Sequence, residues 1–149
     1  MKPRTASPGS GAATQRRRRA GVAVRPESVL LVDSGIWIDH LRQTVPALGQ
    51  ALFAGDVLGH PFVTGEIAMG SLKERATVID ALQRLPQVKI ATDTEVLALV
   101  ERRRLFSLGL GWIDAHLLAS SLLTPDTRLW TRDRRLREAA ERLNVAADA

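Results

Sequence analysis

The chain has no cysteine among its 149 residues, which excludes disulfides, thiolate zinc sites and a cysteine nucleophile. That absence fits a reducing compartment, and a cytoplasmic location is expected. Histidine is scarce as well: His40, His60 and His116 are too few and too dispersed for a histidine-rich metal site. Aromatic residues amount to 4%, which favours Trp37 and Trp112 as core or dimer-interface anchors over base-stacking platforms. No apolar run approaches the ~18 residues that suggest a membrane span, and no secretory apolar region precedes the first strand, so no membrane is expected.

Charge is plentiful but unevenly placed. The formal net charge is +5 and the pI about 10.9, values that invite a nucleic-acid partner. Residues 1–27 hold seven basic side chains against Glu27, a net of +6, and the remaining 122 residues hold 14 basic and 15 acidic ones. The body of the chain is therefore close to neutral. Residues 1–28 are rich in Gly, Ser, Pro, Ala and Arg without apolar periodicity, and they read as a disordered basic tail. That tail could hold RNA phosphates non-specifically or simply be a solvated extension. Residues 29–149 read as one domain, long enough for a sizeable core.

From Val29 the pattern changes. Val29 to Val32 is a short, continuous apolar run, as in a strand buried on both faces of a parallel sheet. Ser34 can cap a helix reaching about Arg42, and a second helix fits Pro46–Ala54 with Gly55 closing it. Further strands are expected at Val57–Gly59, Val88–Ala91, Arg128–Thr131 and Val145–Ala146. Helices are expected around HPFVTGEIAMGSL, over 74–84, after Thr92 or Asp93, over Trp112–Leu123 and over 133–143. This alternation implies an α/β fold with a parallel sheet covered by helices.

Four carboxylates lie where apolar segments meet turns or helix starts: Asp33, Glu66, Asp114 and Asp133. In an open parallel sheet ligands bind beyond the carboxyl ends of the strands, where these four can converge. Two like charges about 4 Å apart repel by roughly 4 kcal/mol at an effective dielectric near 20. Such a cluster must protonate or bind a cation, and an all-oxygen set favours Mg²⁺ or Mn²⁺ over Zn²⁺. Taken singly, Asp114 and Asp133 also make sense as acids complementing helix dipoles. A nucleotide-binding reading fails, because neither a GxxxxGK[ST] loop nor a strand-linked GxGxxG occurs, and Asp33-Ser34-Gly35 lacks the second acid of a DxD nucleophile loop.

The segments LLVDSGIWIDHLR, HPFVTGEIAMGSL and GLGWIDAHLLASSLLTPDTRLWTRD together resemble the PIN domain, and more closely its VapC-type toxins. The resemblance runs from about Val29 to Leu143. It implies a three-layer α/β/α PIN-like fold with a central parallel sheet of about five strands. It also implies a Mg²⁺- or Mn²⁺-dependent endoribonuclease that hydrolyses RNA phosphodiester bonds with water as the nucleophile. Asp33, Glu66, Asp114 and Asp133 match the acidic metal-site quartet, and Ser34 and Thr131 match small hydroxyl positions beside it. Gly35 departs from relatives that carry another small residue there. The same resemblance implies a VapB-type antitoxin partner and a homodimer. The alternative is a catalytically weak PIN module that binds RNA or protein. His116, about 200° around the helix from Asp114, need not face a metal and is expected to be partly exposed or to pack against a helix rather than to act in catalysis. Arg132, Arg134, Arg135 and Arg137 either meet RNA or the acidic pocket or form a solvated face.

Overall fold

The computed structural model describes residues 28–148. The expected basic tail, apart from Ser28, lies outside the described residues. Strand β1 (Val29–Val32) is the centre of a three-stranded, wholly parallel sheet in the order β2-β1-β3, with β2 at Val57–Leu58 and β3 at Thr127–Trp130. Leu30, Leu31 and Val32 are all at most 2% exposed. Consecutive strand side chains point to opposite faces, so the sheet is covered on both.

Seven helices occur among the described residues. Helices α1 (Ser34–Arg42) and α2 (Pro46–Ala54) cross from β1 to β2. Helices α3 (Pro61–Ala68), α4 (Arg75–Arg84), α5 (Asp93–Arg103) and α6 (Trp112–Leu123) lead to β3, and α7 (Arg134–Arg142) follows it. Local sequence explains several boundaries. Pro46 opens α2 at a position that needs no amide, and Gly55 closes it at φ 77°, a conformation glycine adopts without a Cβ penalty. Thr92 and Glu95 form a reciprocal capping box on α5, at 3.1 and 2.8 Å.

The expectation of about five strands is corrected: among the described residues three form. The segments Val88–Ala91 and Val145–Ala146 shrink to single parallel bridges, Gly59↔Gln87 and Leu129↔Ala146. On one edge β2 is only two residues long, and after Val88 N–H meets the Gly59 carbonyl the next amide, Lys89, turns to Thr124 Oγ1. On the other, Leu129 exchanges both its bonds with Val145 and Ala147 and the ladder goes no further. β3 also stops at Trp130, one residue short of expectation, which releases Thr131 toward the site.

The core gathers around Leu31, Val32, Ile36, Leu48, Leu117 and Leu136, all fully buried, each worth roughly 1.5–3 kcal/mol of apolar transfer. Helix α3 packs on α1 and α4, while α6 packs on α5 and β3. Among the described residues no helix is long and apolar enough to cross a membrane.

Candidate active site at the carboxyl edge of the sheet

Because all three strands run the same way, their carboxyl ends share one edge, and the chain leaves each through a helix N-terminus. Asp33 follows β1 and is the N-cap of α1, so the expectation that Ser34 caps this helix is corrected. Asp33 Oδ1 accepts from the Ser34 amide at 2.8 Å, and its Oδ2 accepts from Thr131 Oγ1 at 2.7 Å. The same Thr131 hydroxyl accepts from the Asp133 amide at 3.0 Å. One buried threonine thus ties the end of β1 to the end of β3. Asp133 caps α7 through Leu136 N–H at 2.9 Å. Asp114, in the first turn of α6, accepts from Gly111 N–H at 2.9 Å. Glu66 lies in the second turn of α3, exposed at the rim.

Electrostatics place these acids within reach of one another. Burial raises the Glu66 carboxyl above its ordinary value, the charges of Asp33 and Asp114 raise it further, and a hydrogen bond from the Ser34 side chain opposes them. Burial also raises Asp114, reinforced by Asp33 and Asp133 and opposed by the Gly111 amide. Charge thus links Glu66 to Asp33 and Asp114, and Asp114 to Asp33 and Asp133. Desolvation is the larger cause of both shifts, and the neighbouring like charges add to it.

The sequence profile of the PIN domain matches residues 30–142, which contain all four. The chain belongs to the PIN-domain family. It is 46% identical over 118 residues to Ribonuclease VapC32 of Mycobacterium tuberculosis (strain CDC 1551 / Oshkosh), and equally to the protein of that name from strain ATCC 25618 / H37Rv. Each match covers 79% of this chain and 95% of the relative.

In this PIN domain three of the acids, Asp33, Asp114 and Asp133, each bond a backbone amide at a helix start. The positive ends of three helix dipoles therefore face one edge and offset part of the repulsion. Among the described residues no group of three or more His, Asp or Glu side chains is gathered as a ready-made metal cage. The donor set nevertheless fits a hard divalent cation. It is all oxygen, charge coupling links its members, and the caps engage Asp114 through Oδ2 and Asp133 through Oδ1, which leaves the second oxygen of each carboxylate outside the cap bond.

The neighbouring arginines are mostly engaged elsewhere. Arg132 pairs with Asp39 on α1, Arg134 with Glu138 and Arg137 with Glu141, while the Arg135 guanidinium lies over Gly109. Two cations that the sequence did not single out, Arg42 and Lys73, line a cavity of about 410 Å³ together with Glu66. Leu41, Ile67 and Leu72 form its apolar wall. Nothing in the local sequence announces this pairing, since the residues meet only through the packing of α1, α3 and α4.

His116 is 2% exposed and packs between helices. Its Nε2 lies 3.1 Å from Asp93 Oδ1, and its ring meets Phe62 and Trp112 edge-on at 4.7 and 4.9 Å between centroids. Trp37 is in the core, whereas Trp112 keeps 43% of its surface exposed. His60, counted in the sequence only among the scattered histidines, has a structural role. It is wholly buried, and its Nδ1 caps α3 by accepting from Phe62 N–H at 3.0 Å. The signal was present: proline at the first helical position marks the preceding residue as a cap.

Proposed function

We propose that this PIN domain, residues 29–149, is a Mg²⁺- or Mn²⁺-dependent endoribonuclease, the toxin of a type II toxin–antitoxin pair. The observation that carries the reading is the coupled quartet Asp33, Glu66, Asp114 and Asp133 at one sheet edge, in a chain 46% identical to proteins named as ribonucleases. These four residues would hold the ion. When bound there, a divalent cation supplies neutralisation of phosphoryl charge and a lowered pKa for water.

The chain's own groups do the rest. Thr131 fixes the Asp33 carboxylate and the Asp133 backbone in one hydrogen-bonded unit, and Ser34 steadies Glu66 from the side. Orientation of ligands by such neighbours is what sets the affinity and geometry of a metal site. Arg42 and Lys73, beside Glu66, are placed to attract a phosphate backbone. The apolar wall of the same cavity suits an apolar segment of a VapB-type antitoxin, and a cation from that partner would be drawn to the acids. A homodimer acting on RNA in the cytoplasm completes the reading.

The test is cleavage of an end-labelled RNA by purified protein with Mg²⁺ or Mn²⁺ and with EDTA. Ion-dependent cleavage that Asp33→Ala abolishes, with circular dichroism unchanged, is the expected result. Equal cleavage by wild type and Asp33→Ala would sink the assignment. RNA binding without divalent-ion binding would favour a weak, non-catalytic module instead.

A further inference from the structure

The beginning of α3 meets α6 through a cluster of rings rather than through extended helix packing. His60, Phe62, Trp112 and His116 are linked by T-shaped and tilted ring contacts, with centroids 4.7 to 6.5 Å apart. This cluster lies behind two of the acids. Glu66 is one turn beyond Phe62 on α3, and Asp114 is two residues before His116 on α6.

The hydrogen bonds fix both imidazole tautomers. His60 Nδ1 accepts from Phe62 N–H, so its proton is on Nε2. His116 Nε2 faces the Asp93 carboxylate, an acceptor only, so its proton is also on Nε2 and its Nδ1 is bare. The two remaining ring nitrogens, His60 Nε2 and His116 Nδ1, are buried without a partner among the described residues. One is a donor and the other an acceptor.

A direct N–H···N bond of about 3 Å would bring the two ring centroids to roughly 5 Å at most. The observed separation is 6.5 Å. That gap is too wide for direct bonding and suits one bridging water. Ser120, one turn further along α6, carries another buried hydroxyl without a partner, and about three polar neighbours are what a buried water usually has.

We propose that one buried water joins His60 Nε2–H to His116 Nδ1. The chain Asp93–His116–water–His60 then acts as a positioning device that sets the spacing of α3 and α6, and with it the separation of Glu66 from Asp114. The bridge stands on geometry alone, while its consequence for the acids rests on the metal-site reading above. His60, His116 and Asp93 are positioning residues, acting through the helices that carry the acids.

Selective ¹⁵N labelling of histidine in the intact protein tests the bridge directly. Both rings should appear as fixed Nε2–H tautomers, and the His60 proton should exchange slowly and show cross-relaxation to a bound water. Averaged tautomers or rapid exchange would overturn it. Mn²⁺ affinity, measured by calorimetry, tests the positioning role. His60→Asn retains a capping oxygen, and His116→Gln retains a donor toward Asp93, but each removes one end of the bridge. Each should weaken Mn²⁺ binding about tenfold, and the double variant should be no worse than either single one. Asp93→Asn, which keeps an acceptor oxygen, should remain within about twofold of wild type, whereas Asp93→Ala should not. Multiplying losses in the double variant, or unchanged affinity in both single ones, would overturn the relay. If wild type binds no Mn²⁺, the metal-site reading fails. The relay is then judged by the imidazole spectra and by the same double-variant cycle in urea unfolding, where additivity overturns it and non-additivity supports it.

Discussion

Helices α6 and α7 each open on an acid of the quartet and are otherwise opposites. In α6 every residue from Ala115 to Ser121 is buried, including His116 and two serines. In α7 only Leu136, Ala139 and Ala140 are buried, and two of its arginines, Arg134 and Arg137, pair with glutamates at i,i+4. The helix starts differ accordingly. Gly111 has no side chain with which to cap α6, so Asp114 reaches back from inside the first turn. Asp133 sits ahead of α7 and caps it from outside. An acid at a helix start is thus the same sequence signal in both places, but the body behind it decides how far the carboxyl is desolvated.

That difference predicts unequal catalytic weight. Asparagine preserves the amide-accepting oxygen in either position, so the caps survive substitution. Asp114→Asn should lower kcat by about 10²–10³-fold, the scale of losing an electrostatic group that acts in the transition state. Asp133→Asn should cost about tenfold, as expected of a group acting from the outer part of a metal site. Single-turnover cleavage of one RNA substrate at saturating Mn²⁺ measures both. Equal losses would break the comparison and make the two acids equivalent ligands.

Stability should divide along the same line. Leu117 is fully buried in α6, and Leu117→Ala should cost roughly 2–5 kcal/mol in urea unfolding. Arg134 is 90% exposed and paired only with Glu138 at 3.5 Å, so Arg134→Ala should change stability by no more than about 0.5 kcal/mol. A large effect at Arg134 would mean that α7 is held by its charges rather than by Leu136.

The same contrast explains what could be read from the chain in advance. Helices bounded by local chemistry were legible: Pro46 to Ala54 has proline before and glycine after, and Trp112 to Leu123 lies between Gly111 and Pro125. Asp33 and Thr131 were legible as a pair only through family resemblance, since 98 residues separate them. The outer strands were misjudged because apolar composition at Val88 and Val145 does not reveal whether a ladder continues; a two-residue β2 and a side-chain acceptor, Thr124, decide that in space. The bond between His116 and Asp93 and the cavity joining Arg42, Lys73 and Glu66 are products of packing, with no local periodicity to betray them.

Acid should act on the buried and exposed sides of the molecule with opposite sign. Burial, aided by the electrostatic influence of the neighbouring His116 ring, lowers the His60 pKa from 6.5 to about 4. The unfolded chain therefore takes up this proton first, and stability falls as pH drops from 6.5 through 4, by about 3 kcal/mol in all. Glu66 and Asp114 are raised instead, so the folded state takes up their protons first. Their contribution is fully present in acid and is lost as pH rises through the folded values. His60 is faced by His116, which Asp93 in turn contacts, so His60→Asn isolates the first effect. The variant should flatten the pH 6.5 to 4 limb of urea midpoints; an unchanged slope would assign that limb to other groups.

A modest gain in stability is the most direct probe of the quartet. At neutral pH the desolvation and, after it, the repulsion that raise Glu66 and Asp114 oppose folding, and a divalent ion held only by the folded state offsets them. By mass action, Mn²⁺ at ten times its dissociation constant should add about 1.4 kcal/mol to unfolding. Asp114→Asn should abolish that increment, because it removes a desolvated charge coupled to both Asp33 and Asp133. Asp133→Asn, which alters the solvent-exposed end of the set, should reduce it and leave a measurable remainder. Urea midpoints in Mn²⁺ and in EDTA, at equal ionic strength, resolve the three proteins. An increment of the same size in wild type and in Asp114→Asn would place the ion away from the α6 start, and the asymmetry between the two helices would then have no bearing on the metal.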